Sequence, residues 1–353
     1  MSDRLDIAII GATGYTGIEL IRILASHPKV RIAHLAAGSQ AGQAIGAVFP
    51  ALLGISPELL PDPFLHPVDP DQIKAKAQIA FLGLPHATAA PIAAALLARG
   101  VRVIDLSADF RLKNPATYAA WYNHEHPHPE LIPEAVYGLV EWAQGLPEAR
   151  LVACPGCYPT SVSLPLVPLL KAGLIAPQVI ASCASGTSGA GRSAKVSQLY
   201  AEVAEGFRAY GVEQHRHTPE ITQTLSLAAE TPVRVTFTPH LLPIDRGILA
   251  TLYIQPKPGV DEATLRQAWV EAYGDAPLIR LLPPGAQPDT KDVRGTAIAA
   301  MALTPAREEG APWVVTCAID NLNRGASGQA VACLNLMMGW PLIAGLPLVA
   351  LVP

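Results

Sequence analysis

Apolar positions along this chain change period several times, and each change marks an element. Leu5–Ile10 is a short β-branched apolar run, too short for a helix, and predicts a buried strand. Beyond a glycine-rich stretch, the spacing of apolar residues over Ile18–Leu24 predicts a helix with one buried face. Val30–Ala36, Ile79–Leu84 and Val101–Leu106 read as further strands, with an Ala-rich helix over Ala87–Arg99 between the last two. Strands alternating with helices imply an α/β domain of Rossmann type, a doubly wound parallel sheet. The Pro-, His- and Asn-rich stretch Ala108–Glu134 reads as a long loop, which in a compact domain is usually functional.

After Pro168 the pattern shifts. Val179–Ala184 reads as a strand, Ser185–Arg192 as a Gly-rich loop and Ser193–Gly206 as a helix. Val233–Thr238, Gly247–Gln255 and Trp313–Asp320 follow as strands, with a helix over Asp261–Tyr273. Strands outnumber helices here, so a second domain of α+β type with a mixed or antiparallel sheet is expected. A last helix over Ala326–Met338 is positioned to return to the first domain. The division this predicts is 1–153 with 325–353 for dinucleotide binding, and 154–324 for catalysis, substrate and oligomerisation.

A length of 353 residues suits two domains, and composition narrows the partners. Half the residues are apolar, yet stretches such as Trp340–Pro353 are broken by Pro and Gly and fall short of the roughly 20 residues a membrane span needs. No basic run or cleavage site precedes the first strand, so no export signal is expected. Five cysteines fit a reducing compartment, hence the cytoplasm, better than a disulfide framework. The net charge of −4 and the lack of a Lys/Arg run point away from nucleic acid and anionic membranes, and toward a small molecule.

Two motifs carry the chemistry. Gly11-Ala-Thr-Gly-Tyr-Thr-Gly17 is a G-x-x-G-x-x-G loop between a strand and a helix, the context in which glycines let a backbone approach a pyrophosphate at a helix N-terminus. An NAD site usually places an acid about 20 residues beyond such a loop to hold the ribose hydroxyls. Here Leu35-Ala-Ala-Gly-Ser39 has none, and Ser39 offers a hydroxyl, which favours NADP. The second motif, Cys154-Pro-Gly-Cys157, admits a nucleophile at a helix start, a redox pair, or two buried thiols. Its place at the expected domain junction, where pockets form, favours the nucleophile. His215-Arg-His217 supplies a possible acid/base; if that stretch is extended, the two rings point apart and one reaches the thiol. His124, His126 and His128 alternate in a proline-rich loop without a second ligand cluster, so no metal is expected.

Seven segments, in order along nearly the whole chain, resemble the N-acetyl-gamma-glutamyl-phosphate reductases of arginine biosynthesis, within the aspartate-semialdehyde dehydrogenase-like superfamily. They are Gly11–Leu20, Asp105–Leu112, Pro155–Thr160, Ser185–Arg192, His215–Ile221, Phe237–His240, and Asp320-Asn321 with Arg324-Gly-Ala326. The resemblance implies an NADPH-dependent reduction of a small acyl phosphate to N-acetylglutamate 5-semialdehyde through a thioester on Cys157, with His217 as acid/base and His215 as its competitor. It implies that Gly11, Thr13, Gly14, Tyr15, Thr16, Gly17, Ser39, Pro85, Ser188, Gly189 and Asn321 hold the cofactor. Arg111, Ser185, Arg192, His215 and Arg216 would meet the substrate's charged and polar groups, and the protein would be a homotetramer or homodimer. Two departures stand out. Cys154 replaces the usual Asn, which raises a regulatory Cys154–Cys157 disulfide, and Gly38 stands where an Arg is usual, which weakens strict NADP selection. A reductase of carrier-linked aminoadipate phosphate in lysine biosynthesis, a C-x-x-C thiol–disulfide oxidoreductase and a non-catalytic NADP sensor are the competing functions.

Overall fold

The computed structural model describes residues 4–351. The chain forms two compact units: one runs to Pro155 and resumes over Ala326–Pro347, and the other takes Gly156–Gly325 and resumes at Leu348.

The first unit carries strands β1 (Leu5–Ile10), β2 (Val30–Ala36), β3 (Leu65–His66), β4 (Ile79–Leu82), β5 (Arg102–Asp105), β6 (Val136–Tyr137) and β7 (Leu151–Ala153). They lie in the order β3-β2-β1-β4-β5-β7-β6, every pair parallel. Strands buried on both faces need continuous apolar sequence, which β1 and β4 supply. The order reverses between β1 and β4, the switch point at whose carboxyl end α/β sheets open a crevice. Helix Tyr15–Leu24 follows β1, and helix Ala89–Leu97 lies between β4 and β5. The returning helix Gly328–Met337 packs against the first helix and β5. Asn335 Oδ1 on it accepts from His27 Nε2 at 2.9 Å, and Gln329 donates to the Gly138 carbonyl. Among the described residues, no helix is long and apolar enough to cross a membrane.

The second unit carries β8 (Gln178–Ser185), β9 (Arg208–Ala209), β10 (Arg234–Leu241), β11 (Ile248–Ile254), β12 (Ile279–Leu281), β13 (Ala299–Thr304) and β14 (Trp313–Ile319). Their order is β12-β13-β14-β11-β8-β10-β9, a mixed sheet in which β8/β10 and β12/β13 are parallel and the other pairs antiparallel. Its central partner is helix Cys157–Lys171, buried from Tyr158 to Leu170. Pro165 and Pro168 interrupt that helix, and an interior proline frees the carbonyl four residues back. Pro168 frees Leu164, whose carbonyl accepts from the Tyr273 hydroxyl at 2.6 Å, while Trp269 Nε1 donates to the Pro165 carbonyl at 2.8 Å. Tyr273 of helix Glu262–Tyr273 thereby supplies the donor that Pro168 removes, and Trp269 adds a second tie between the two helices, each bond contributing about 1 kcal/mol.

Three expectations change. The stretch Ala108–Glu134 is not all loop: Asn114 caps a helix over Pro115–Tyr122, and a 3₁₀ turn covers Pro129–Glu134. The helix expected over Ser193–Gly206 is a 3₁₀ turn at Val196–Gln198 and one helical turn at Tyr200–Val203, because few of its side chains find a core to pack against. The tail from Leu348, expected with the first domain, packs with Val293, Ile298, Ala300 and Ala318 of the second unit.

Candidate active site

In the first unit, the Gly loop is dictated by close backbone packing. Gly11 has φ +82°, and a Cβ there would stand 2.3 Å from the Gly83 carbonyl oxygen. A Cβ at Gly17 would stand 2.3 Å from the Gly11 oxygen and 2.7 Å from Ala12 Cα. The turns after β1 and β4 therefore touch at the switch point, and side chains are excluded from both. A Cβ at Gly83, not singled out from the sequence, would meet Thr16 Oγ1 at 2.9 Å, a milder constraint than at Gly11 and Gly17. Gly14 is the N-cap of helix Tyr15–Leu24 and gives it no side-chain cap, so the helix presents its first-turn N–H groups past Thr13 and Gly14. That uncapped terminus fits a dinucleotide pyrophosphate. Ser327 Oγ donates to the Thr16 carbonyl and anchors the returning segment to this turn. Ser39 and Pro85 are exposed at the loops after β2 and β4, and Tyr15 is partly exposed.

The same unit holds a buried polar cluster from the Asp105–Leu112 motif. Asp109, fully buried, accepts from the Ala87 and Ala90 amides and from the Tyr118 hydroxyl, so it caps the helix after β4. Burial and the neighbouring Asp109 push Asp105 up to about 7. Arg111 is buried and donates to the Leu106 carbonyl at 2.7 Å. His126 bonds the Asp109 carbonyl, and His128 bonds Glu130 at 2.8 Å, so these rings serve the loop.

Cys154 also belongs to this unit. It is fully buried and hydrogen-bonded to Cys333, and that contact together with burial holds its thiol well above the usual range. Cys333 in turn donates to the Gly138 carbonyl at 3.3 Å. A buried thiol held protonated in this way is a poor nucleophile, which weighs against the C-x-x-C oxidoreductase reading.

In the second unit, Cys157 is the first residue of its helix, half-buried, with Gly156 as N-cap. The positive end of a long helix favours an anion there. Glu220, buried in the first turn of helix Thr218–Ala229, accepts the Gly156 N–H at 2.9 Å and pins the two helix starts together. His217 is the N-cap of that second helix. The expectation that His215 and His217 diverge is overturned. Thr218 N–H bonds the His215 carbonyl at 2.9 Å, so the segment turns instead of extending, and the rings lie 4.9 Å apart. Both rings meet Tyr158, the residue after Cys157, at 5.4 Å and 5.8 Å.

The two histidines nevertheless differ. His215 Nδ1 accepts the His217 N–H at 3.1 Å, and its ring also contacts Tyr210 and Phe237. Burial, with Arg216 adding to it, pushes His215 down to about 4, so it is neutral at pH 7. His215 is therefore a packed, oriented ring. The Tyr158 and Tyr210 hydroxyls bond each other at 2.9 Å, completing an aromatic wall beside the thiol.

The turn after β14 closes the site. Asp320, fully buried, accepts from the Leu322 and Asn323 amides at 2.8 Å and from Gly295 at 2.7 Å, with Arg246 Nη1 at 3.6 Å. The Gly325 N–H bonds the Asp320 carbonyl, and Gly325 lies so close to Cys157 that its own Cβ would stand 2.7 Å from Cys157 Cβ. Asn321 accepts from the Gly247 N–H and donates to Ser188 Oγ at 2.9 Å, tying this turn to the Gly-rich loop that also carries Gly189. Ser185 is buried, its hydroxyl donating to the Gly186 carbonyl, whereas Arg192 and Arg216 are exposed. Of the expected site residues, this unit brings Cys157, His215 and His217 together around Tyr158, and Ser188 together with Asn321. Glu220, Asp320 and Gly325 were missed as positioning groups; an acid in the first turn after Thr-Pro and an Asp before Asn-Leu-Asn were the available signals.

Comparison with known proteins extends these observations. Residues 6–148 match the family model of the semialdehyde dehydrogenase NAD binding domain, and residues 157–321 that of the semialdehyde dehydrogenase dimerisation domain. The chain is 49% identical to the N-acetyl-gamma-glutamyl-phosphate reductase of Rhodospirillum rubrum, covering 98% of each chain. It is also 49% identical to that of Citrifermentans bemidjiense, covering 99% of this chain and 100% of the relative. In fold it is similar to aspartate semialdehyde dehydrogenase II of Vibrio cholerae, with TM-score 0.73 at 16% identity over 95% of this chain and 99% of that one. The Candida albicans aspartate semialdehyde dehydrogenase, solved with NADP, gives 0.67 at 16% identity over 95% and 98%.

Proposed function

The chain belongs to the N-acetyl-gamma-glutamyl-phosphate reductase family, and on that premise we propose that it reduces N-acetyl-L-glutamyl 5-phosphate to N-acetyl-L-glutamate 5-semialdehyde, a step of arginine biosynthesis. The observation that carries the reading is Cys157 on the first turn of a buried helix, against Gly325, with His217 packed on the ring of the adjoining Tyr158.

The Cys157 thiolate attacks the acyl carbon; the S–C bond forms and the C–O bond to phosphate breaks, leaving a thioester and free phosphate. His217 is the proton carrier of the pair, since His215 already commits Nδ1 to the His217 amide. When bound, NADPH supplies the hydride that brings the thioester to the aldehyde level. Collapse of the resulting thiohemiacetal returns the thiolate and releases the semialdehyde. Gly11, Thr13, Gly14, Tyr15, Thr16 and Gly17 would hold the dinucleotide with Ser39 and Pro85, and Ser188, Gly189 and Asn321 would face the nicotinamide. Arg111, Arg192 and Arg216 are the groups suited to the substrate's carboxylate and phosphate, because guanidinium binds either bidentately.

The protein would act as a homo-oligomer in the cytoplasm. Supporting the first, one face of the mixed sheet leaves Ile180 45% exposed beside partly exposed Leu249, Tyr253 and Val314. Supporting the second, none of the five cysteines is in a disulfide. Phosphate-dependent oxidation of N-acetylglutamate 5-semialdehyde, followed by NADPH absorbance, tests the reaction. Wild type turns over and Cys157→Ala does not; an inactive wild type that still binds NADP would sink the substrate assignment.

A further inference from the structure

The turn after β4 stands at the switch point of the first unit, where the crevice of an α/β sheet takes its ligand. Gly83 opens it against Gly11, and the exposed Pro85 lies on it. The Thr88 N–H and hydroxyl both donate to the Pro85 carbonyl, at 3.3 and 2.6 Å, and close the turn. Between them Ala87 has φ +65°, the left-handed region that residues other than glycine rarely adopt. Such a conformation persists when its surroundings impose it.

The segment after β5 imposes it, at three points. Asp109 Oδ1 accepts the Ala87 N–H at 2.8 Å, and its Oδ2 accepts the Ala90 N–H at 3.0 Å. The Ala108 N–H donates to His86 Nδ1 at 3.2 Å, and the Tyr122 ring meets the His86 ring edge-on at 5.1 Å. Asp109 is held in its turn. The Tyr118 hydroxyl donates to its Oδ1 at 2.8 Å, its own N–H bonds Ser107 Oγ at 3.1 Å, and Ser107 Oγ donates to Asp105 Oδ2 at 2.7 Å. A fully buried carboxyl group with this many donors has no freedom to follow the turn, so the turn follows it.

We propose that Asp109 is a positioning residue for cofactor binding: it holds Ala87 left-handed and so fixes residues 83–88 in the shape that meets the dinucleotide. The proposal rests on the nicotinamide-dependent function above and deepens it. Asp109 touches no reacting group and acts through the Ala87 backbone. The turn belongs to the unit that carries the Gly loop, whereas Cys157 belongs to the other, so loss of Asp109 weakens cofactor binding and spares the thiol. Glycine takes positive φ about as readily as negative, so a glycine at 87 keeps the turn's shape without Asp109. A β-branched residue there opposes that shape even with Asp109 in place.

The test is calorimetric titration of the full chain with NADP, alongside steady-state kinetics and iodoacetamide alkylation of Cys157, on protein shown folded by circular dichroism. In Asp109→Ala the NADP Kd and the KM for NADP rise at least fivefold, while kcat at saturating NADP and the alkylation rate stay within threefold of wild type. Adding Ala87→Gly to that variant lowers the Kd again by at least threefold. Ala87→Val, which keeps the backbone bond to Asp109, raises the Kd at least fivefold by itself, and it alone decides if Asp109→Ala does not fold. A smaller rise in either single variant overturns the proposal. So does a recovery below threefold with the added glycine, or a kcat and alkylation rate that fall in step with affinity, the mark of a general loosening. A folded wild type that binds no NADP would instead overturn the nicotinamide-dependent function, so the two failures are distinguishable.

Discussion

Gly325→Ala is the sharpest perturbation of the thiol's placement. The backbone at 325 is not left-handed, so only space demands glycine there. The added Cβ would lie 2.7 Å from Cys157 Cβ, 3.1 Å from Cys157 Cα and 3.3 Å from Ile319 Cδ1. Carbon atoms rest at about 3.5–4.0 Å, so relief requires a shift of about 1 Å. Neither partner yields easily: Cys157 opens a helix pinned by Glu220, and Gly325 hangs on the turn held by Asp320. A nucleophile displaced by about 1 Å costs about 100-fold in rate, and overpacking costs about 1–3 kcal/mol in stability. The expected outcome is a kcat lowered about 100-fold with NADP affinity within threefold of wild type, and a matching slowing of Cys157 alkylation by iodoacetamide. Steady-state kinetics, calorimetry and mass spectrometry on protein shown folded by circular dichroism give these readouts. A kcat within threefold of wild type, with unchanged alkylation, would refute the buttress.

Glu220→Ala leaves the buried Gly156 N–H without its acceptor and should lower unfolding stability by about 1–3 kcal/mol in urea, while Glu220→Gln, which keeps a carbonyl oxygen, should lose less; equal losses would contradict the helix-pinning role. His215 stands at about 4 in the folded chain against about 6.5 unfolded, so below pH 6.5 the unfolded state binds the extra proton. Its contribution is full above pH 6.5 and fades as pH falls toward 4, by up to about 3 kcal/mol. Urea midpoints from pH 7.5 to 4.5 should fall less steeply in His215→Phe than in wild type, and parallel slopes would exclude this origin.

The first sheet was readable because its strands are short, mostly apolar and β-branched, and β1 and β2 declare themselves at their observed ends. β13 was not, since Ala299–Thr304 is built largely of alanine and carries little strand preference of its own; its neighbours β12 and β14 confer it. The thiol, the histidine segment and the Gly loop are local motifs and survive as sequence. The difference between His215 and His217 arises from a single turn hydrogen bond, and the need for glycine at 325 arises from a contact 168 positions away in the chain, numbered 325 against 157. Such requirements live in tertiary distance, which periodicity does not encode.

The discontinuity of the first unit bears on the order in which the chain can fold during synthesis. Its helix Gly328–Met337 follows the inserted unit in sequence, yet it covers β5 and supplies Asn335 to His27 and Gln329 to Gly138. A ribosome delivering the chain from its N-terminus therefore releases the first unit with part of its core uncovered, and completes the inserted unit to Gly325 before the missing helix emerges. The Gly loop, anchored through Ser327 to Thr16, is finished last although it is made first. Completion of the Gly loop's surroundings thus waits until the whole inserted unit has been translated.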